Sequence, residues 1–468
     1  MLSNKKAGKS IESSIALSNR EKSKHFQVID KTYENNTASD YTEKIEQLGK
    51  TFVYSQNENH YWGPPEFSTF YQTPLYEQAS PSQKLALNHL YWIGQYQHTA
   101  SAESNTMLYN KVTSGVFENI KGYETLCQEL NFETDQERYH INTFQRIGFK
   151  TKISLFGKEF LGNPLHKKII SSSRQTLLNR LAIKSPKWDS FQESFFREIT
   201  KLFHKNSVKY YSQFLKAQGK GKIPTAMGGL AGLTGSPSLF KFLTLNWGSS
   251  PFMAAQYYSA RMIANMSLKT YEYPYSKQFR DLEKKNEFIP IPTAVSYYHL
   301  LDESFHTTMS QIISQEVYKD FASPTAYEKL LSNAIVFLAQ RGILGGLSAG
   351  LPATFRDDAS FMLSYYRLLI SPVFNFSNQD ALHWMEKCLC QEHEGLHVNL
   401  KHHESLLCDL RRFFGKLDYL WPVNREMKIM AEGGSIKRTI ERNRVAFKKL
   451  SQLLDEEISP LKRSQEVG

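Results

Sequence analysis

Apolar residues recur at intervals of three and four along most of the chain, and runs that alternate apolar with polar positions are few. That periodicity predicts an all-α protein. The first strong segment, "SPSQKLALNHLYWIGQYQHTASAESNTMLYNKVTSGVFENI", places Ser80 as N-cap and Pro81 at the first helical position, with Gly122 ending it. A second, "YETLCQELNFETDQERYHINTFQRI", is expected to stop near Gly148. A third, "SPFMAAQYYSARMIANMSLKTYEYP", is expected to stop near Pro274. The fourth, "PTAVSYYHLLDESFHTTMSQIISQEVYKDF", opens after Pro290 and Pro292. Between the second and third, "WDSFQESFFREITKLFHKNSVKYYSQFLKA" reads as one long amphipathic helix.

The pattern divides the chain into three regions. Residues 1–75 form a polar N-terminal extension, partly disordered, with one short helix; "YWGPPEF" within it reads as an ordered arm against the main body. Residues 76–345 hold a helical bundle with an insertion around 150–248. Residues 346–468 form a helical C-terminal region closed by the basic amphipathic helix "IKRTIERNRVAFKKLSQLLDEEI". The Gly-rich "GKGKIPTAMGGLAGLTGSP" lacks a lysine followed by Ser or Thr at phosphate-loop spacing, so it is not read as a nucleotide cradle.

Composition narrows the class. Of 468 residues, 41% are hydrophobic and 13% aromatic, which calls for a substantial core and argues against global disorder. The formal charge of +11 reads as scattered surface lysine, with no nucleic-acid partner implied. Four cysteines are too few for a disulfide framework. The N-terminal residues contain no continuous apolar run of a signal peptide. The most apolar stretch, "AIVFLAQRGILGGLSAGLPA", is broken by Arg341 and several glycines and fails as a membrane span. The expectation is a soluble, cytoplasmic protein.

Candidate chemistry lies in two of the helices. Each carries Glu-x-x-His: Glu137 with His140, and Glu303 with His306. Positions three apart lie about 60° apart on a helix face, so both side chains can reach one metal. A four-helix bundle that does this twice, with one further Glu from each remaining helix, encloses a metal pair. Those glutamates are present: Glu103 lies 34 residues before Glu137, and Glu272 lies 31 residues before Glu303. Both separations suit antiparallel helix pairs. Four carboxylates balance two divalent cations, and oxygen donors with a few imidazoles suit iron or manganese. His299 precedes Glu303 by four and shares its face, adding a third imidazole. Glu133 stands at the same offset from Glu137 and is read as accidental. Asp302 is a candidate to accept the second N–H of a ligand histidine.

With these residues in place the sequence resembles the p-aminobenzoate N-oxygenase family of di-iron oxygenases. "HLLDESFH", with His, Glu and His at offsets 0, 4 and 7, is the most specific part of the likeness. The resemblance covers about residues 80–325. It implies a ferritin-like bundle and a seven-ligand di-iron centre of Glu103, Glu137, His140, Glu272, His299, Glu303 and His306. It also implies O₂-dependent oxidation of a small-molecule amine to hydroxylamine or nitro products. The chain departs from the family in its long segment between His140 and Glu272, in its two terminal regions, and in Gln136, where an Asp often stands. No flavin or nicotinamide fingerprint is present, so electrons are expected from an external reductase or ferredoxin; a homodimer is possible. Hydroxylation or desaturation of carbon is the alternative at the same centre.

Two other readings compete. His393-Glu394-Gly395-Leu396-His397 matches the H-E-x-x-H pattern of zinc metallopeptidases, and Cys388 and Cys390 add thiols for a structural zinc site. Gly395 inside the motif and the lack of a clear third ligand weigh against the peptidase. The chain can also be a non-enzymatic helical scaffold whose basic "KRTIERNRVAFKK" meets an acidic partner or lipid surface.

Overall fold

The computed structural model describes residues 23–158, 186–204, 207–219, 223–224, 237–347 and 359–465. The fold is all-α: among the described residues every regular element is helical and no strand is present. Two helices, α1 (Lys24–Ala38) and α2 (Thr42–Thr51), precede four long ones. These are α3 (Pro81–Phe117) and α4 (Glu124–Phe156), then, after α5 (Pro186–Phe203) and α6 (Pro237–Trp247), α7 (Pro251–Lys285) and α8 (Ile291–Gln315). The C-terminal part adds α9 (Ala326–Gly342), α10 (Ala359–Ile370), α11 (Asn378–Cys390), α12 (Glu394–Phe414) and α13 (Ile436–Gln465). Short connections, 118–123 and 286–290, make α3 with α4 and α7 with α8 antiparallel pairs. The pairs meet through α3 with α7 and α4 with α8, which closes a four-helix bundle.

Local chemistry starts these helices where the sequence places them. At α3 the Ser80 side chain accepts the Gln83 N–H, the Gln83 side chain accepts the Ser80 N–H, and Pro81 needs no partner at the first position. Two ends differ from expectation. α4 runs through Gly148 and stops at Gly157, whose φ of 83° only glycine adopts readily. One interior glycine costs about 1 kcal/mol, less than burying Thr151 and Leu155 on the continued helix returns. α7 runs through Pro274 to Lys285. Beyond the proline, Tyr275 sits in the aromatic core and Phe279 stacks on Tyr297 at 4.0 Å, so tertiary packing holds the helix on both sides of the break.

The N-terminal region is more ordered than its polar composition suggests. α1 and α2 both pack on α4 and α8, with Ile29 and Ile45 fully buried. Each helix needs only a narrow apolar stripe to dock, and a narrow stripe barely registers in composition. The "YWGPPEF" arm does lie on the body: Trp62 is buried and its N–H donates to Asn88.

Within the insertion, the helix expected as one piece is α5 followed by two short helices, Ser207–Tyr210 and Gln213–Ala217. Ser212 separates the last of these; its N–H donates to the Gly248 carbonyl and its hydroxyl caps Leu215. Most of the Gly-rich stretch lies outside the described residues.

At the C-terminal end, the basic helix α13 is partly spent on the body. Asn443 and Arg444 donate to the Leu389 and Cys390 carbonyls, the unsatisfied C-terminal acceptors of α11. Among the described residues no helix is long and apolar enough to cross a membrane.

Candidate metal centre

The four bundle helices bring all seven candidate residues into one buried cluster. Each is at most 5% exposed. Donor atoms of Glu103, His140, His299 and Glu303 lie within 4.8 Å of one another, and so do those of Glu137, Glu303 and His306. Glu303 belongs to both groups. Glu272 stands at the edge, with Oε1 2.6 Å from His299 Nδ1 and accepting the Tyr96 hydroxyl at 2.7 Å. Helical spacing explains the convergence: Glu137 with His140, and His299, Glu303 and His306, each share one helix face.

The outer ring nitrogens are held by the residue preceding the glutamate on the opposite helix. His140 Nε2 faces Asp302 Oδ2 at 3.1 Å, which leaves Nδ1 turned inward. His306 Nε2 faces Gln136 Oε1 at 2.9 Å, with Nδ1 2.7 Å from Glu303. Gln136 thus occupies the place corresponding to Asp302, using an amide oxygen where the other half uses a carboxylate. Both acceptors are themselves fixed by the N-terminal helices. The Gln136 amide exchanges hydrogen bonds with Asn36 and donates to Asp40. The Tyr41 N–H donates to Asp302 Oδ1.

Two buried residues near the cluster, Arg261 and Glu129, escape the sequence reading, and a third, Glu133, is misjudged by it. Arg261, on α7, donates to Glu133 at 2.8 Å and to Glu137 at 3.4 Å. Glu133 also accepts from Asn110, and Glu129, one turn earlier, accepts from Asn36. Glu129, Glu133 and Glu137 therefore form a column on α4, and Glu133 is no accident of spacing. The signal was an arginine inside the apolar "SARMIAN" run, where a buried cation demands a carboxylate.

The electrostatics suit a cation. Burial, then the Glu137 charge, pushes the Glu103 carboxyl up to about 7. Burial alone would lower the His306 imidazole, but Glu303 and Glu133 outweigh it and raise it to about 10. His140 rises to about 9, as Asp302 and Glu137 outweigh burial in the same way. Carboxylates crowded in a dry interior draw protons onto the imidazoles. Glu103 Oε2, Glu137 Oε2, Glu272 Oε2 and His140 Nδ1 are buried without a hydrogen-bond partner. Three buried carboxylate oxygens and a ring nitrogen without hydrogen bonds are what a metal pair would satisfy, so the donor set fits one.

The H-E-x-x-H segment does not form a comparable site. His393 is the N-cap of α12, outside the helix, so it is not one helical turn from His397. Its Nε2 points to the Cys388 carbonyl at 2.8 Å. The His397 side chain is 44% exposed and meets Glu392. Among the described residues these side chains, with Cys388 and Cys390, gather into no metal-sized group. The helix break before Glu394 removes the one-turn spacing on which the peptidase reading rests.

A family model described as "Acyl halogenase CylC-like" matches residues 24–451. The match includes α1, α2 and most of the C-terminal region, which the likeness to N-oxygenases left without counterpart. CylC is a non-heme di-iron enzyme, related to the p-aminobenzoate N-oxygenases but not the same. No curated protein and no solved structure matches the chain.

Proposed function

The chain belongs to the CylC-like acyl halogenase family, and we propose that it is an O₂-dependent di-iron enzyme that halogenates a carbon of an acyl substrate. The observation that carries this is the buried cluster of four glutamates and three histidines, in which Glu103 Oε2, Glu137 Oε2, Glu272 Oε2 and His140 Nδ1 have no hydrogen-bond partner. Glu103, His140 and His299 would hold one iron, Glu137 and His306 the other. Glu303 would reach both, with Glu272 completing the set beside His299. When bound, the iron pair supplies the reduction of O₂ to an oxidant strong enough to take hydrogen from carbon. The overall conversion takes R–H, one halide, O₂, two electrons and three protons to R–X and two waters. An external donor supplies the electrons.

This chain's own residues set the stage for that chemistry. Asp302 and Gln136 fix the rings of His140 and His306, so their inward nitrogens need no reorganisation. Arg261 offsets the charge of Glu133 and holds Glu137 in place. Phe144 packs edge-on against His299 at 4.9 Å and, with Tyr96 and Trp92, keeps that side of the cluster dry.

The test is direct. Protein expressed with added iron and purified without chelator should carry about two irons, as the two donor groups require. Reduced, and given O₂ with chloride or bromide, it should yield an acyl product bearing the halogen isotope pattern. Oxygenated acyl products without halogen would instead support the hydroxylase or desaturase reading. Consumption of arylamines with acyl substrates untouched would favour N-oxygenation and overturn the proposal.

A further inference from the structure

We propose that Tyr96, Trp92, Trp62 and Tyr54 form an electron relay from the protein surface to the metal centre. The inference rests on the di-iron reading of the cluster. Tyr96 touches the centre directly, through its hydroxyl on Glu272. Its ring stacks on Trp92, centroids 4.3 Å apart. Trp92 meets Trp62 edge-on at 5.6 Å, and Trp62 meets Tyr54 at 6.0 Å. Trp62, Trp92 and Tyr96 are buried, whereas Tyr54 is half-buried and reaches the surface. Tyrosine and tryptophan are the most readily oxidised aromatic side chains, and four in unbroken contact make short electron-transfer steps.

The surface end carries the feature that marks a redox tyrosine. His89 Nε2 lies 2.8 Å from the His60 carbonyl, which can only accept, so Nε2 bears the hydrogen. Nδ1 is then the bare acceptor of the Tyr54 hydroxyl at 3.1 Å. His89 also stacks on Trp62 at 4.1 Å. Tyr54 therefore has an acceptor in place for the proton it loses on oxidation: burial makes His89 a weak base, but an oxidised phenol is a strong acid and gives its proton up to the nitrogen it already faces. A rival branch runs from Tyr96 to Tyr271 at 6.1 Å, but the Tyr271 hydroxyl meets Thr99, which is no base.

The relay balances step by step. Tyr96 gives one electron inward, its phenolic proton staying within the hydrogen bond to Glu272. Trp92 refills Tyr96, and Trp62 refills Trp92. Tyr54 refills Trp62 while its proton passes to His89 Nδ1. A one-electron donor at the surface, of the thiol or ascorbate class or a protein reductant, refills Tyr54, and the proton returns. One electron has moved inward and every side chain is restored.

Two measurements on the full chain separate this relay from the reading of the centre. In the first, iron-loaded protein of measured iron content is mixed with O₂ without substrate or reductant, freeze-quenched, and examined by electron paramagnetic resonance with ring-deuterated tyrosine. A tyrosyl radical on Tyr54 is expected; in Tyr54→Phe and in Trp62→Phe, at unchanged iron content, its signal should give way to that of a radical held further in, on Trp62, Trp92 or Tyr96, and in Tyr271→Phe it should be retained. Persistence of the same radical in Trp62→Phe, loss in Tyr271→Phe, or no radical in iron-loaded wild type would overturn the relay. In the second, metal-free protein carries a ruthenium photosensitiser on Glu58→Cys in a Cys408→Ser background. Flash oxidation should produce a tryptophan radical that decays into a tyrosine radical, and Trp62→Phe should block that transfer. Transfer unaffected by Trp62→Phe overturns the pathway. Failure to bind iron with transfer intact overturns the di-iron reading and leaves the pathway standing.

Discussion

Arg261 is the residue on which the charge balance of the cluster turns. Its guanidinium is buried between Glu133 and Glu137, and their charges outweigh burial and hold it firmly protonated. Removing one partner of a buried pair strands the other, at a cost of about 3–5 kcal/mol. Arg261→Met should therefore lower the unfolding midpoint and the iron content together, and double replacement with Glu133→Gln should recover much of the stability. A double variant no more stable than Arg261→Met would show that Arg261 acts by packing alone. Gln136 makes a finer case. Gln136→Leu takes the acceptor from His306 Nε2 and should weaken iron binding about 10–100-fold, read by competition with a chelator; Gln136→Glu should largely restore it. The seven candidate ligands were legible because helix geometry ties residue spacing to a face. Arg261, Glu129 and Asn36 were not, because their partners come from other helices and no spacing rule connects residues 36, 129 and 261.

At the scale of elements, α1 and α2 act as a clamp on the outer hydrogen bonds of the cluster. Asn36, Asp40 and Tyr41 reach Gln136 and Asp302 from outside the bundle. α2 approaches α4 closely enough that a Cβ on Gly49 would lie 2.8 Å from Thr143 Cγ2. Gly49→Val should push α2 outward, by an overpacking cost of about 1–3 kcal/mol. Protection of the α1 and α2 amides against hydrogen exchange should fall, while that of α7 is retained. Equal loss in both would mean that the clamp and bundle open as one unit. Periodicity found the four bundle helices, since each buries a long repeated face. It misjudged the ends of α4 and α7, because Gly148 and Pro274 are local signals and the packing of Leu155 and Tyr275 is not. It also missed the order of residues 24–51, whose docking rests on a few apolar side chains and on polar contacts to distant helices.

For the whole molecule, acid and metal should act on stability in opposite directions. His89 is buried beneath Tyr54 and Trp62, and burial lowers its imidazole to about 3. The unfolded chain takes up that proton near pH 6.5 and the folded chain only near pH 3, so stability falls as pH drops through this window. Between pH 6.5 and 5 the loss is about 2 kcal/mol. His89→Gln should flatten that part of the profile in urea titrations, and an unchanged slope would assign the acid sensitivity to other groups. Metal works the other way. The inward carboxylate oxygens and His140 Nδ1, which make no hydrogen bond, are a cost the folded chain carries without metal. A ligand that binds only the folded form at a hundred times its dissociation constant adds about 2.7 kcal/mol. For a chain of this length that raises the melting point by a few degrees. Anaerobic Fe(II) should produce the shift and Glu303→Ala should abolish it, because Glu303 alone belongs to both donor groups. Glu137→Ala should instead retain the part due to the other group, so a rise that survives Glu303→Ala intact would place the iron elsewhere in the molecule.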